Sequence, residues 1–309
     1  MDFAHASVLI QESMGLLKPR PGERYFDGTL GGGGHAEEIL LRSSPTGRVL
    51  GLDLDEDAVR AAGHRLSRFG DRLILRRANF AQAKDVLADI NWGHVDGVLL
   101  DLGVSSHQFD AAERGFSFQA SAPLDMRMDR RQPLTALEIV NSFPESQIAK
   151  IISDYGEEPR ARRIAAAIAT ERKNRAIETT IDLAALIVQV KGKRNRAHHP
   201  ATQTFQALRI AVNRELETLK TFLEYGYELL QPGGRMVIIS FHSLEDRLVK
   251  TAFRKWSEKC ICPPRILHCE CGWSQKARRL TRKPIIASAE EVRANPRARA
   301  AKLRAVVRL

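Results

Sequence analysis

The stretch Tyr25-Phe26-Asp27-Gly28-Thr29-Leu30-Gly31-Gly32-Gly33-Gly34-His35, running directly into Ala36-Glu37-Glu38-Ile39-Leu40-Leu41-Arg42, decides the fold. An apolar entry, a run of glycines and a helical exit predict a strand, a tight turn and a helix start. In such a turn the backbone comes close to a ligand because no side chain intervenes. A second apolar run, Arg48-Val49-Leu50-Gly51-Leu52-Asp53, ends on a carboxylate. That is about where a βαβ unit sets the acid that holds a ribose diol. The two runs together predict a cofactor cradle on a parallel sheet, against the alternative of a plain flexible glycine loop.

Asp27 stands where the turn begins. A fixed carboxylate there repels a pyrophosphate, which takes bare backbone N–H groups and a helix N-terminus. S-adenosylmethionine has no phosphate and carries an ammonium and a sulfonium, so the acid favours it over a dinucleotide. Residues 73–80 predict a third strand, with Phe80 at its end either to pack on an adenine or to serve as ordinary core. Residues 95–106 predict a fourth strand that runs into Asp101 and a small-residue loop. Ligands in doubly wound sheets bind outside the carboxyl ends of the strands, so Asp27, Asp53, Phe80 and Asp101 are expected to converge on one crevice.

The strand and helix alternation then stops. Residues 107–200 read as a helical insertion, with helices over 164–175 and 181–190, while 1–106 and 201–309 form the α/β core. The insertion opens with Arg114-Gly115-Phe116-Ser117-Phe118 and Leu124-Asp125-Met126-Arg127-Met128-Asp129. Arg114, Phe116, Asp125 and Arg127 suit the stacking and hydrogen bonding of an extruded base, or a surface loop with local ion pairs. Thr202 is expected to cap one long helix carrying Phe205, Leu208, Val212, Leu216, Leu219 and Leu223 as core, stopped by Pro232-Gly233-Gly234. Gln206, Arg209 and Asn213 lie on another face of that helix, toward substrate or toward water. Residues 235–243 predict a further parallel strand ending at His242, a polar group for a substrate base or a structural hydrogen bond. A helix over 244–256 follows, and 283–287 with 303–309 predict a closing pair of strands.

Composition narrows the class. With 43% apolar and 28% charged residues in 309 the chain can bury a real core, and no apolar run reaches the length that spans a bilayer. No basic start followed by an unbroken apolar stretch marks a signal peptide, so a cytoplasmic enzyme with no membrane partner is expected. The net charge of +11 points to a polyanionic partner, and the basic residues from Lys276 onward suit phosphate contact or a solvated charged face. All four cysteines fall together as Cys260-x-Cys262 and Cys269-x-Cys271. In a reducing compartment this favours a structural zinc over disulfides, although one-residue spacing chelates less comfortably than two, and plain reduced thiols are the alternative.

Several blocks then meet a known family. Residues 5–9, Asp27-Gly28-Thr29 with Gly33-Gly34-His35, residues 100–106, 113–118, 123–129, 199–202 and 240–247 together resemble the RsmH or MraW family. These are bacterial methyltransferases that modify the N4 amino group of a cytidine in 16S ribosomal RNA. The resemblance runs through most of the chain. It implies a Rossmann-like class I methyltransferase sheet with a helical insertion for substrate recognition, a homodimer, and a substrate in the small ribosomal subunit. It also implies S-adenosylmethionine binding by Gly33, Gly34, His35, Asp53, Phe80, Asp101 and Gln108. Asp101 is expected to anchor the cofactor, with Ser105 and Ser106 as candidate acceptors for the amino group. The loop Asp101-Leu102-Gly103-Val104-Ser105-Ser106 lacks the Pro-Pro-aromatic sequence of many amino methyltransferases, which leaves the acceptor open. Two rivals draw on parts of the same sequence. An NAD-dependent oxidoreductase uses Gly31-x-Gly33 and Asp53 but is opposed by Asp27, and a non-catalytic RNA-binding assembly factor rests on the basic tail alone.

Overall fold

A computed structural model of the chain describes residues 7–104, 111–192, 199–263 and 268–309. Four strands, β1 (Arg24–Asp27), β2 (Arg48–Asp53), β3 (Leu73–Arg77) and β4 (Val95–Asp101), lie before the insertion. Four more, β5 (Leu230–Ser240), β6 (Ala277–Arg279), β7 (Ile285–Ile286) and β8 (Lys302–Arg308), lie after it. They form one sheet in the order β3-β2-β1-β4-β5-β8-β6, with β7 also paired to β8. The first five are parallel, and β8 runs antiparallel to β5, β6 and β7. The order reverses between β1 and β4, the switch point outside which doubly wound sheets bind their ligands. A dinucleotide-binding sheet continues with a sixth parallel strand. Here antiparallel β8 takes that place, a departure from the sheet of the oxidoreductase alternative.

The strands read as nearly continuous apolar runs because both faces of the sheet are covered. Phe26, Leu50, Leu52, Val98, Leu100, Met236 and Ile238 belong to one buried cluster. Their alternates Tyr25, Val49, Leu99, Val237, Ile239 and Leu303 belong to another. The two-residue period of a strand therefore sorts neighbouring residues into two cores. The first is filled out by Phe222, Phe253 and Trp256, the second by Met14, Ile39 and Leu66.

The chain divides into two compact units, one of residues 1–103 with 216–309 and one of 104–215. The second begins earlier and ends later than the expected 107–200. The reason lies at Arg214: the single helix expected from Thr202 onward is two, Thr202–Asn213 and Glu215–Tyr225, separated by Arg214 in the left-handed region (φ 51°). Phe205, Leu208 and Val212 of the first join the core of the second unit, while Leu219 and Leu223 of the next join the core beneath the sheet. The cap also differs, since Ala201 holds that position and no side chain closes the turn. Five helices build the second unit: Ala136–Ser142, Glu145–Gly156, Ala161–Asn174, Thr180–Lys191 and Thr202–Asn213. Their core includes Ile148, Ile152, Ile164, Ile168, Leu183 and Ile187. Within it Lys191 and Glu158 form a buried ion pair.

Other expectations shift by local chemistry. The Pro232-Gly233-Gly234 stop lies inside the span of β5, where pairing with β4 slips between Val95 opposite Leu230 and Gly97 opposite Arg235. The excursion absorbs the turn without ending the strand. β3 stops at Arg77, and Phe80 opens a short 3₁₀ turn capped by Asn79. Ile164 is fully buried, with packing partners in the second unit's core, so Ile164→Ala should cost about 2–5 kcal/mol. Native-state hydrogen exchange should then accelerate in the helices of 136–213 and leave the amides of β1, β2 and β4 protected. Equal acceleration in the sheet would contradict separate cores.

Candidate active site

The glycine turn is built as the sequence requires. β1 ends at Asp27, and the helix Gly34–Arg42 starts behind Gly33, whose φ of 80° is open to glycine at little cost. A Cβ on Gly33 would lie 2.9 Å from a Leu66 methyl, and one on Gly28 would lie 2.4 Å from Leu100 and 2.9 Å from the Phe80 Cβ. The turn is fixed from the neighbouring strand, because Asp53 Oδ2 accepts the Gly31 N–H at 2.8 Å and its Oδ1 accepts the Asp55 N–H at 2.9 Å. Thr29, which sequence reasoning passed over, ties the turn to β4: its Oγ1 accepts the Asp101 N–H at 2.6 Å. The only signal for it was its place between Asp27 and the glycines.

The register brings Asp27, Asp53 and Asp101 to the carboxyl ends of three adjacent strands. Asp27 is fully buried, and the Asp101 side chain is 16% exposed. Burial pushes Asp27 up to about 7, with the Asp53 charge adding and the Thr29 N–H opposing. Burial likewise pushes Asp53 up to about 6 against the N–H groups of Asp55 and Gly31. Asp101 is raised well above the usual carboxylate range by burial, then by the charges of Asp27 and Glu245. No lysine or arginine among the described residues offsets Asp27 or Asp101. Oδ2 of Asp27 and Oδ1 of Asp101 are buried with no hydrogen-bond partner among the described residues. Such a site is short of positive charge.

His35, in the first turn of the glycine-led helix, is buried; its Nε2 donates to the Val8 carbonyl at 3.0 Å and its Nδ1 faces Asp101 Oδ2 at 3.5 Å. The carbonyl can only accept, so Nε2 carries a proton. Phe80 is half-buried and meets Phe222 edge-on with centroids 5.6 Å apart. Ser105, Ser106 and Gln108, singled out for the reaction and the cofactor, lie outside the described residues.

The residues expected to touch substrate are mostly occupied within their own unit. Arg114 is buried, donates to the carbonyls of Arg127 and Met128 at 3.0 and 3.3 Å, and lies over the ring of buried Phe116. Asp125 and Arg127 form a two-pronged pair at 2.7 and 2.9 Å. Burial pushes the Asp125 carboxyl up, but Arg127 holds it below its ordinary value. Arg209 grips Glu215 through two bonds of 2.9 Å. Asn213 accepts from the Met128 N–H at 2.7 Å and donates to the Met126 and Arg209 carbonyls. Asn213 ties the loop over 124–132 to the helix Thr202–Asn213, Arg114 and the Asp125–Arg127 pair brace that loop, and Arg209 holds Glu215, which accounts for their polarity without a ligand. His242 is not at a strand end: β5 stops at Ser240, and His242 caps the helix Ser243–Trp256 in a reciprocal box with Glu245. In the basic tail Arg304 is buried against Asp246 at 2.6 Å and Arg308 donates to the Glu228 carbonyl. Arg278, Arg279, Arg282, Lys283, Arg293 and Arg299 are exposed.

The sequence model of the MraW methylase family matches residues 2–309. The chain is 55% identical over 311 residues to a ribosomal RNA small subunit methyltransferase H from Symbiobacterium thermophilum, covering 100% of this chain and 98% of that one. It is 51% identical over 310 residues to the protein of the same name from Geotalea daltonii, covering 100% and 99%. The protein of that name from Heliobacterium modesticaldum is 49% identical over 312 residues, covering 100% of both. With full-length matches on either side and a methyltransferase-type sheet beneath the glycine turn, the chain belongs to the MraW methylase family.

Proposed function

We propose that this enzyme transfers a methyl group from S-adenosylmethionine to the N4 amino group of a cytidine in small-subunit ribosomal RNA, and that the crevice at the ends of β1, β2 and β4 holds the cofactor. The observation that carries the cofactor assignment is the pair of buried carboxylate oxygens on Asp27 and Asp101 that have no hydrogen-bond partner among the described residues. A cationic ligand offsets their burial cost, and a pyrophosphate would add to it. Asp27 and Asp101 would face the positive part of the cofactor, and Asp53, which keeps lone pairs after fixing the turn, would take its ribose hydroxyls. Phe80 would lie against its adenine, and the first N–H groups of the helix from Gly34 and His35 would meet its carboxylate. The cofactor supplies a methyl group on a positively charged sulfur that leaves as a neutral thioether.

The cytidine N4 lone pair is delocalised into its ring, so the nitrogen reacts only when held in line and relieved of a proton as its bond to carbon forms. Ser105 and Ser106 are the candidate acceptors of that N–H, following Asp101 in the chain. The transfer draws on no metal chemistry, so zinc on the four cysteines enters this reading as a structural group alone. The helical unit would recognise the RNA together with the exposed arginines of the tail, whose charge suits phosphates. The homodimer implied by the resemblance is part of the same reading and is tested by sedimentation of the purified protein.

Asp101→Asn should lower methyl transfer to small subunits by about 100-fold or more, read by mass mapping of the product nucleotide. Because the change removes a buried carboxyl that Asp27 and Glu245 repel, the variant should melt at or above the wild-type temperature. Full activity in a folded Asp101→Asn protein would take this residue out of the mechanism.

The pH dependence has a definite sign. The folded values of Asp53, about 6, and Asp27, about 7, lie above the unfolded carboxylate range. Their contribution to stability without ligand is therefore full below about pH 4 and is lost as pH rises through 6 and 7. Facing a cation reverses the preference at Asp27 in favour of the ionised group, so affinity for S-adenosylmethionine should strengthen between about pH 6 and 8. Titration calorimetry across that range checks this, and a profile flat in pH would count against cationic contact with this acid.

A further inference from the structure

The helix ending at Trp256 is joined to β6, which begins at Ala277, by a connection that contains no helix or strand among its described residues. At twenty residues it exceeds the length that compact domains ordinarily leave unsupported. Its far end is fastened: Trp273 packs against the first core cluster and donates to the Glu258 carbonyl at 3.0 Å, and the Lys276 N–H reaches the Trp256 carbonyl at 2.8 Å. Among the described residues of its middle no apolar side chain is buried. What it offers is four sulfurs.

The Sγ atoms of Cys260, Cys262, Cys269 and Cys271 all lie within 4.8 Å of one another. The closer pairs are Cys260 to Cys269 at 3.4 Å, Cys269 to Cys271 at 3.5 Å, Cys260 to Cys271 at 3.7 Å and Cys262 to Cys269 at 3.9 Å. A disulfide needs sulfurs about 2.05 Å apart, so no pair is bonded. A tetrahedron with metal–sulfur bonds of about 2.3 Å puts its sulfurs about 3.8 Å apart, in the middle of these separations. Four thiols drawn to one point on the surface have no hydrophobic reason to meet, since Cys260 and Cys269 are exposed. The Cys262 N–H donates to Cys260 Sγ at 3.3 Å. Gly272, at φ 60°, turns the chain behind Cys271 so that the second short pair can close on the first.

We propose that Cys260, Cys262, Cys269 and Cys271 bind one zinc ion as four thiolates, and that the ion does for residues 257–276 what a hydrophobic core does elsewhere in the chain. Closed tetrahedral coordination by protein ligands makes this a structural site, and its binding energy is folding energy for the segment. The one-residue spacing within each pair is accommodated because the two pairs approach each other, not because either chelates alone. The site lies apart from the methyl-transfer residues in sequence and chemistry, so it stands or falls independently of the cofactor assignment.

The test uses the full-length protein purified without chelator. Metal analysis should find one zinc per chain, and titration with an organomercurial should release that zinc as four thiols react. Cobalt should replace it with the visible bands of a tetrahedral tetrathiolate site. The double variant Cys262→Ser, Cys269→Ser should retain at least about tenfold less zinc, with the sheet's circular dichroism unchanged and new protease cleavage confined to residues 257–276. Absence of bound zinc after incubation with equimolar zinc, iron in its place, or equal zinc on wild type and double variant would each overturn the assignment. If the double variant does not fold, the mercurial and cobalt titrations of the wild type decide alone.

Discussion

Three carboxyl groups held at the ends of three neighbouring strands, two of them, Asp27 and Asp101, with no lysine or arginine among the described residues to answer them, set the terms for the rest of the sheet unit. Each is raised by burial, and each costs the ligand-free fold stability at neutral pH. The fold bears this because the surrounding strands bury full apolar faces on both sides, and because backbone N–H groups from the glycine turn are aimed at Asp53. The same turn excludes side chains at Gly28 and Gly33, so acids and bare backbone share one edge of the sheet. A site with that charge balance selects for a positively charged small molecule before any residue touches it.

The helical unit shows the opposite use of polar residues. Its loop over 124–132 is dense in arginine and aspartate, a composition that suits RNA. Yet Arg114, Asp125, Arg127 and Asn213 spend their hydrogen bonds on one another and on local carbonyls. Buried charge of this kind is tolerated when every group finds a partner, and the two-pronged Arg127–Asp125 pair supplies the geometry that makes it so. Charge density in a sequence marks a place where ions are needed, and the need here is met inside the protein. In the tail Arg304 and Arg308 lock β8 and its neighbours, while Arg278, Arg279, Arg282, Arg293 and Arg299 are exposed.

A related contrast separates the two ways this chain holds irregular segments. The glycine turn is pinned by hydrogen bonds from strand-end carboxylates and threonine, groups already present for the sheet. The segment 257–276 lies away from such groups and gathers four sulfurs instead. Both solutions answer the same requirement, that backbone without regular hydrogen bonds must be fixed by something else.

The sequence by itself determined the parallel strands, the glycine-led helix and the acids at the strand ends. Hydrophobic period, turn chemistry and strand-end position are properties of short stretches read one at a time, and they survive into the fold. The resemblance of its motifs likewise pointed to the family that full-length matching shows. Tertiary structure alone decided the break at Arg214, which hands one half of an expected helix to each unit, and the place of β8 as an antiparallel neighbour of β5. It also decided that Arg114 and Phe116 are core and that His242 is a helix cap. Whether a polar side chain is spent on its own chain or left for a ligand depends on what lies across from it in space, and linear order does not carry that information.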